Sequence, residues 1–194
     1  MALDRILLGL LRSPAAGYDL KQQVDVAFSH FWSADLPQIY RTLNRMERAG
    51  LLSVAIEPSD QGPDRRVYRL TPAGTSELEG WLQGEPALDI KRIGSLARVC
   101  FLGALEDDGA AADRLYALRK QLEERLAGLQ AMAKHWEAND PGYPDCDNAD
   151  EFYLQLTLDA RIHELMAQVA WASRSIRRVE DRVRKQALRQ NKEQ

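Results

Sequence analysis

The stretch LPQIYRTLNRMERAGLLSVAIEPSDQGPDRRVYRLTPAG, residues 36–74, carries the signals that decide the fold of the N-terminal half of the chain. Asp35 stands just before it and Gln38 follows three residues later, which is the spacing of a helix capping box. Pro37 falls in the first turn of that helix, where a missing N–H group costs nothing. Gly50 suits the position after the helix because glycine readily adopts a positive φ. The pattern predicts one helix that ends just before Gly50.

Two short apolar runs follow this helix. LLSVAI at 51–56 and VYRL at 67–70 predict β-strands. The segment between them, EPSDQGPDRR, is polar and contains prolines and a glycine, which is typical of a turn. The sequence therefore predicts a β-hairpin with a long tip. Thr71 and Pro72 then predict the N-cap and first position of a further helix, whose residues available for burial are Leu78, Trp81 and Leu82.

Two helices are predicted before the stretch. In LDRILLGLL, residues 3–11, apolar residues recur with the three- and four-residue spacing of a helix. The segment RSPAAGYDL interrupts this helix with Pro14 and Gly17, and helical spacing resumes in YDLKQQVDVAF, residues 18–28. Three helices followed by a hairpin are the order of elements in a winged helix-turn-helix, a DNA-binding fold.

The third helix is predicted to bury Ile39, Leu43 and Met46 and to present Arg41 and Asn44 on its opposite side. Arg can donate two hydrogen bonds to guanine, and Asn can both donate to and accept from adenine. Although the net charge of the chain is −3, the region from this helix to the end of the hairpin holds six arginines against four acidic residues. A basic helix face is also common in proteins that bind no DNA, so that alternative stays open for the helix taken alone.

The order of the elements favours DNA binding over a merely solvated basic face. Arg65 and Arg66 would then lie on the hairpin, the wing, within reach of phosphates or of an adjacent minor groove. Their alternative role is to keep the hairpin soluble. The predicted DNA contacts, from the third helix, its start and the wing, are Ser33, Pro37, Gln38, Tyr40, Arg41, Asn44, Arg45, Arg48, Arg65, Arg66 and Tyr68.

The C-terminal half predicts helices. IKRIGSLARVCFLGALE is an apolar helix, and a long helix follows with apolar residues every three or four positions from Leu115 to Trp136. The final helix holds apolar residues at a and d positions for nearly four heptads, so it needs a partner helix. The partner is either a helix of the same chain or a second copy, and we favour a homodimer because a winged helix reads palindromic DNA as a dimer. The predicted dimerisation residues are Leu158, Ile162, Leu165, Val169, Ala172, Ile176, Val179 and Val183.

These residues resemble a known family. LLGLL, GYDL, PQIYRTLNRMERAGLL, GPDRRVYRLTPAG and LEGWL, spread over residues 3–83, are similar to the N-terminal domain of PadR-type transcriptional regulators. The most specific parts are QIYRTL followed by ERAGLL, and the closing GPDRRVYRLTPAG. The resemblance implies a recognition helix from Leu36 to Ala49 and a wing tip from Asp60 to Arg66. Pro37 stands where members of the family often have Gly.

The C-terminal half resembles the longer members of the same family. LQLTLDARIHELMAQVAWASR, residues 154–174, is similar to their final helix, and their C-terminal helical domain dimerises. In that branch small effectors, phenolic acids among them, release the regulator from DNA. We expect an effector to bind where the two predicted domains meet, because only there can a small molecule alter the separation of two recognition helices. The aromatic residues that would line such a pocket, with core packing as the alternative for each, are Tyr18, Phe31, Trp32 and Trp81.

Other functional classes lack their signals. Cys100 and Cys146 have no CxxC spacing, the histidines are scattered, and the chain contains no HExxH, GxSxG or glycine-rich phosphate loop. We therefore predict no enzyme, no metal site and no cofactor. No apolar run reaches the length of a membrane span and no N-terminal signal is present, which predicts a cytoplasmic protein with no membrane partner.

The sequence thus predicts a mainly α fold with a small β-hairpin. A winged helix-turn-helix occupies residues 1–84, and a helical, coiled-coil-like dimerisation and effector domain occupies residues 85–194. The predicted function is a sequence-specific DNA-binding transcriptional regulator, a repressor released by a small-molecule effector, bound as a homodimer to an inverted-repeat operator. The alternative is a protein-interaction module in which the winged helix binds a protein and the coiled coil serves as a scaffold.

Overall fold

The chain divides into two compact units, Met1–Leu88 and Asp89–Gln194, and each is described by itself. The computed structural model describes residues 2–58, 65–85, 94–139, 142–144 and 147–190.

The described part of the first unit combines four helices with three short strands. In chain order they are α1 (Ala2–Leu10), β1 (Ala15–Ala16), α2 (Gly17–Ala27), α3 (Leu36–Arg48), β2 (Leu52–Glu57), β3 (Arg65–Leu70) and α4 (Pro72–Gln83). The second unit is helical. Its elements are α5 (Gly94–Cys100), a 3-10 turn (Leu102–Leu105), α6 (Asp108–Asn139) and α7 (Ala149–Gln190).

The strands form one antiparallel sheet in the order β1-β3-β2. Strands β2 and β3 pair from Leu52 with Leu70 to Glu57 with Arg65, so the predicted hairpin is confirmed. The short strand β1 was not predicted. It is too short for any alternation of polar and apolar residues to show, and it is defined only by its pairing with β3, in which Ala15 lies opposite Tyr68.

The predicted helix starts are confirmed by their hydrogen bonds. At α3, the Gln38 N–H donates to Asp35 Oδ1 at 2.6 Å, and Gly50 follows the helix with φ +74°. At α4, the Gly74 N–H donates to Thr71 Oγ1 at 3.1 Å. The Thr71 hydroxyl also donates to the Gly50 carbonyl at 2.7 Å, so the start of α4 is held against the end of α3.

The core of the first unit lies between α1, α2 and α3 and the sheet. Its largest fully buried side chains include Leu7, Leu8, Leu20 and Tyr68. The helix α3 buries the predicted row, described below. In α4 only part of the predicted burial is found: Leu78 is buried, whereas Trp81 and Leu82 are 51% and 66% exposed in the single chain. Of the three residues available for burial, the single chain therefore buries only Leu78.

Helices α6 and α7 form an antiparallel pair in the second unit. Arg182 Nε donates to Asp108 Oδ2 at 2.7 Å, and the Tyr116 hydroxyl donates to Glu180 Oε1 at 2.5 Å. The start of α6 therefore lies against the later part of α7. Between the helices an apolar cluster forms around Leu122, Leu165 and Ala172; the half-buried residues packed against it are Leu118, Leu126, Leu129, Val169 and Trp171.

This pairing corrects the prediction for the a and d residues of α7. Leu158, Leu165, Ala172 and Ile176 are buried within one chain, at no more than 3% exposure. Ile162, Val169 and Val179 are half-buried, and Val183 is 36% exposed. The alternative of packing within the chain is therefore correct for the four buried residues. The physical reason is that α6 carries its own leucine row, which gives the seam of α7 a partner without a second copy.

We expect Gly74→Ala to destabilise the first unit by about 1–3 kcal/mol, because it inserts a methyl group where there is no room. A Cβ at this position would lie 2.2 Å from the Leu51 carbonyl oxygen, which is backbone and has little freedom to move. The measurement is urea unfolding followed by circular dichroism. Gly80→Ala is the matched control in the same helix, since its Cβ would meet nothing within 4 Å. Equal stability of the two variants would contradict the close packing at Gly74.

In the second unit we expect Leu165→Ala to cost about 2–5 kcal/mol, because it leaves a cavity between α6 and α7. Arg177 on the same helix is exposed, so Arg177→Ala serves as the control and should change the free energy of unfolding little. Thermal and urea unfolding of both variants test this. A loss at Arg177 as large as the loss at Leu165 would show that the buried side of α7 is assigned wrongly.

Candidate nucleic-acid interface

The helix α3 has one buried and one exposed side, as its sequence predicts. Ile39, Leu43 and Met46 are buried, together with Thr42, whose hydroxyl donates to the Gln38 carbonyl at 2.9 Å. The exposed side carries most of the predicted DNA contacts: Pro37, Gln38, Tyr40, Arg41, Arg45 and Arg48, with Asn44 half-buried among them. Ser33 lies exposed ahead of the helix. One helix thus brings seven of the predicted residues onto one surface.

Arg41 and Asn44 occupy neighbouring positions on this exposed side because they are three residues apart in a helix. Arg48 follows one turn further on. Within the part of the chain that the structure describes, neither Arg41 nor Arg48 forms an ion pair. Their guanidinium N–H donors are therefore available to a ligand. A helix is narrow enough to enter the major groove, where Arg and Asn side chains can read base edges.

Three other predicted arginines are paired with carboxylates, which the sequence did not reveal. Arg45 pairs with Asp4 of α1, Arg65 pairs with Asp19 of α2, and Arg66 Nη2 lies 3.1 Å from Glu47 Oε2 of α3. The arginine side chains are about half exposed, at 48%, 53% and 49%. Ion pairs as exposed as these contribute only about 0–1 kcal/mol each.

The position of Arg65 and Arg66 differs from the prediction. Both lie within β3 rather than at a hairpin tip, and residues 59–64, which include most of the predicted tip from Asp60, lie outside the described residues. Successive side chains of a strand point to opposite faces. Arg65 therefore reaches the start of α2 while Arg66 reaches the end of α3. The two arginines therefore connect the base of the wing to α2 and to α3 through exposed ion pairs.

Tyr68 was predicted as a DNA contact, and this prediction is wrong. The strand β3 is central in the sheet, so Tyr68 lies between Ala15 and Val54 and packs into the core with 0% exposure. Burial raises the pKa of the Tyr68 phenol, which keeps the ring neutral. The guanidinium of Arg66 lies close by, with its Cζ 5.7 Å from the centre of the Tyr68 ring. Tyr68 is therefore part of the core beneath the sheet and is not accessible to DNA.

Tyr40 has a second role that its sequence position does not show. A Cβ at Gly17 would lie 2.5 Å from Cε1 of Tyr40, so the Tyr40 ring lies directly against the first residue of α2. Tyr40 is still 37% exposed. Gly17 was interpreted from the sequence only as an interruption between helices. In the structure, its missing side chain allows α2 and α3 to approach closely.

The predicted effector residues are spread over the first unit. Trp32 is half-buried and packs against the core. Tyr18 and Trp81 are 63% and 51% exposed, and Phe31 is 39% exposed with its ring centre 4.8 Å from that of His30. Core packing, the alternative for these residues, is therefore correct only for Trp32. A surface groove of about 480 Å³ opens in the same unit, and its lining contains none of the four: Lys21, Asp25, Ser33, Ala34, Asp35, Leu36 and Gln38.

Two other kinds of site are not found within the described ranges. No group of three or more His, Cys, Asp and Glu residues is arranged there to hold a metal ion. None of the described helices is both long enough and apolar enough to cross a membrane.

Two family profiles match the chain. That of the Transcriptional regulator PadR-like family matches residues 6–80, the winged helix, and that of the Virulence activator alpha C-term family matches residues 95–180. Among curated relatives, a probable transcriptional regulator of Mycobacterium tuberculosis is 35% identical over 83 residues, which are 42% of this chain. The chain spans only 44% of that relative's length. The negative transcriptional regulator PadR of Bacillus subtilis is 26% identical over 70% of this chain and 73% of its own.

Solved structures show the same fold. The crystal structure of Bacillus subtilis PadR in complex with operator DNA matches with a TM-score of 0.79 at 22% identity, covering 92% of this chain and 99% of that chain. The structure of the same protein in complex with p-coumaric acid matches with a TM-score of 0.73 at 22% identity, covering 92% and 95%. The profiles account for both units, and the winged helix, residues 6–80, belongs to the PadR-like family of transcriptional regulators.

Proposed function

We propose that this chain is a sequence-specific DNA-binding transcriptional regulator. The observation that carries the proposal is the exposed side of α3, where Arg41 and Asn44 are neighbours. Arg41 forms no ion pair within the described residues, so its donors are available to DNA. Placed in a major groove, Arg41 would donate two hydrogen bonds to guanine and Asn44 would pair with adenine. The buried row of α3 holds this side at a fixed angle to the rest of the winged helix.

Phosphate contacts would come from the periphery of the same surface. Arg48 at the end of α3 and Arg65 and Arg66 on β3 flank the side that faces the bases. Such contacts supply affinity and orientation without reading sequence. Family membership supports the assignment, since one relative, Bacillus subtilis PadR, has been solved with operator DNA. The family is one of transcriptional regulators, which is not a class of enzymes, and we propose no catalytic role for this chain.

We propose further that the protein acts as a homodimer on an inverted repeat, with residues 1–84 binding DNA and residues 85–194 dimerising. Because the seam of α7 packs against α6, the dimer contact must use other surface. Helix α7 exposes several large apolar side chains, and these are Tyr153, Leu156, Met166 and Leu188. Burying them against a second copy would remove apolar area from water, which is the main driving force for such association.

The names of similar proteins support repression as the direction of regulation. The Bacillus subtilis relative is named a negative regulator and has been solved with p-coumaric acid. We propose that this chain is likewise a cytoplasmic repressor that a small aromatic effector releases from DNA. Fluorescence of its four tryptophans, followed together with DNA release during titration of aromatic acids, tests the effector. A compound that releases DNA yet binds at α3 itself would show simple competition.

The DNA-binding proposal predicts that Arg41→Ala and Asn44→Ala each lose about 1–3 kcal/mol on the preferred site and relax specificity at one base pair. The preferred site is first selected from a random duplex pool, and dissociation constants are then measured for it and for single-base variants. Arg125→Ala is the control, because Arg125 is exposed on α6 in the other unit. Equal weakening on every sequence would show that Arg41 and Asn44 contact only the backbone.

The dimer proposal predicts that the full chain sediments at twice the mass of one chain and protects two half-sites spaced by about 10 bp or a multiple. Met166→Glu and Leu156→Glu should weaken the dimer because each places a charge in the apolar contact. Gln130→Glu, exposed on α6, controls for added charge. A monomer in sedimentation would reject the dimer, and a dimer that both glutamate variants leave intact would place the contact elsewhere.

A further inference from the structure

The three paired arginines suggest a function for their partner carboxylates. Asp19 and Glu47 are the two that bind the wing arginines Arg65 and Arg66, and both pairs remain accessible to solvent. Their side chains are 34% and 37% exposed, and each lies in direct contact with a predicted DNA-binding arginine. A duplex that approached the wing arginines would meet these two carboxylates as well.

The geometry of the pairs places the carboxylates where a phosphate would bind. In both pairs the bonded atom is a terminal Nη2 nitrogen, the part of the guanidinium that extends furthest from the strand. A phosphate would use the same terminal donors, since Arg binds phosphate and carboxylate with one planar fork. Carboxylate and phosphate therefore compete for Arg65 and for Arg66.

Asp19 and Glu47 are also held in place. Asp19 Oδ2 accepts a hydrogen bond from the Ala16 N–H at 3.2 Å, at the start of α2. Glu47 lies in the last turn of α3, whose buried row fixes the helix. The hydrogen bond keeps the Asp19 carboxylate in place when Arg65 turns to a phosphate. The fixed helix keeps the Glu47 charge within a side chain's length of Arg66, so both negative charges would remain near the DNA backbone and repel it.

We propose that Asp19 and Glu47 limit the affinity of this winged helix for the DNA backbone by competing with phosphate for Arg65 and Arg66. This inference rests on the proposed DNA-binding function. Phosphates are the same in every sequence, so the carboxylates lower the affinity for all duplexes by a common factor. The contacts of Arg41 and Asn44 with bases are unaffected. The consequence is weak binding to non-specific DNA, which leaves discrimination to the recognition helix.

The test uses the full chain with Asp19→Asn and Glu47→Gln, which remove charge but keep shape. The amide that replaces the Asp19 carboxylate retains an oxygen for the Ala16 N–H, and thermal unfolding checks that both variants fold. Binding is measured to a selected site and to an unrelated duplex of equal length. Glu77→Gln is the control, since Glu77 pairs with Arg5 at 2.5 Å and its loss changes the net charge equally.

We expect each variant to bind both duplexes about 3- to 10-fold more tightly, from the loss of one nearby negative charge. The slope of log K against log salt should steepen by about 0.9, because one more arginine neutralises a phosphate. The control should change affinity less than the two variants do. When Arg65 is already replaced by Ala, Asp19→Asn should no longer increase DNA affinity, because there is no Arg65 for Asp19 to keep from a phosphate.

Three results would overturn the inference. Weaker binding by Asp19→Asn and Glu47→Gln would show that the carboxylates orient the arginines for phosphate. Unchanged binding would show that Arg65 and Arg66 are outside the interface, and a gain that persists in the Arg65→Ala background would show a general charge effect. The unsubstituted chain distinguishes failure of this inference from failure of the proposed DNA-binding function. If that chain binds no selected duplex at low salt, the DNA-binding function is rejected, and the inference with it.

Discussion

The burial of one side of α3 is the constraint on which the rest of the winged helix depends. Ile39 and Leu43 are fully buried, and Met46 nearly so. Because an α-helix turns once every 3.6 residues, burial of this row determines which side chains face solvent. Arg41 and Asn44 are presented together for that reason alone. The cap at Asp35 and the positive φ of Gly50 determine where the exposed surface begins and ends.

The sheet extends this constraint to the wing. As the central strand, β3 is paired on both edges, which brings Tyr68 into the core and leaves Arg65 and Arg66 to reach outward past it. Because successive side chains of a strand point to opposite faces, Arg65 and Arg66 reach different helices, and the base of the wing contacts both α2 and α3. Thr71 adds a third connection, because its hydroxyl and its N–H bond to the backbone that follows α3. The surface that carries the proposed DNA contacts is therefore built jointly by α2, α3 and β3.

The second unit satisfies its own apolar surface in a different way. The leucine row of α6 covers the buried side of α7, so the heptad pattern that looks like a dimer seam is used within one chain. The apolar side chains left over, such as Tyr153 and Met166, lie on surface that α6 does not cover. A heptad pattern states only that a helix requires a partner. Whether the partner is the same chain or another copy depends on what else the chain supplies.

Local features of this protein could be predicted from its sequence because they depend on residues a few positions apart. The helix caps at Asp35 and Thr71, the hairpin, and the two sides of α3 all follow from short spacings, and the structure confirms them. The resemblance to the PadR-like family over residues 6–80 likewise depends on short, specific motifs. What only the tertiary structure decided involves residues far apart in sequence. Asp19 forms an ion pair with Arg65, 46 positions away in the sequence, and Ala15 pairs with Tyr68. Helix α6 packs against the apolar side of α7. No local period encodes these contacts, because they arise when separate elements compete for the same buried space and the same opposite charges.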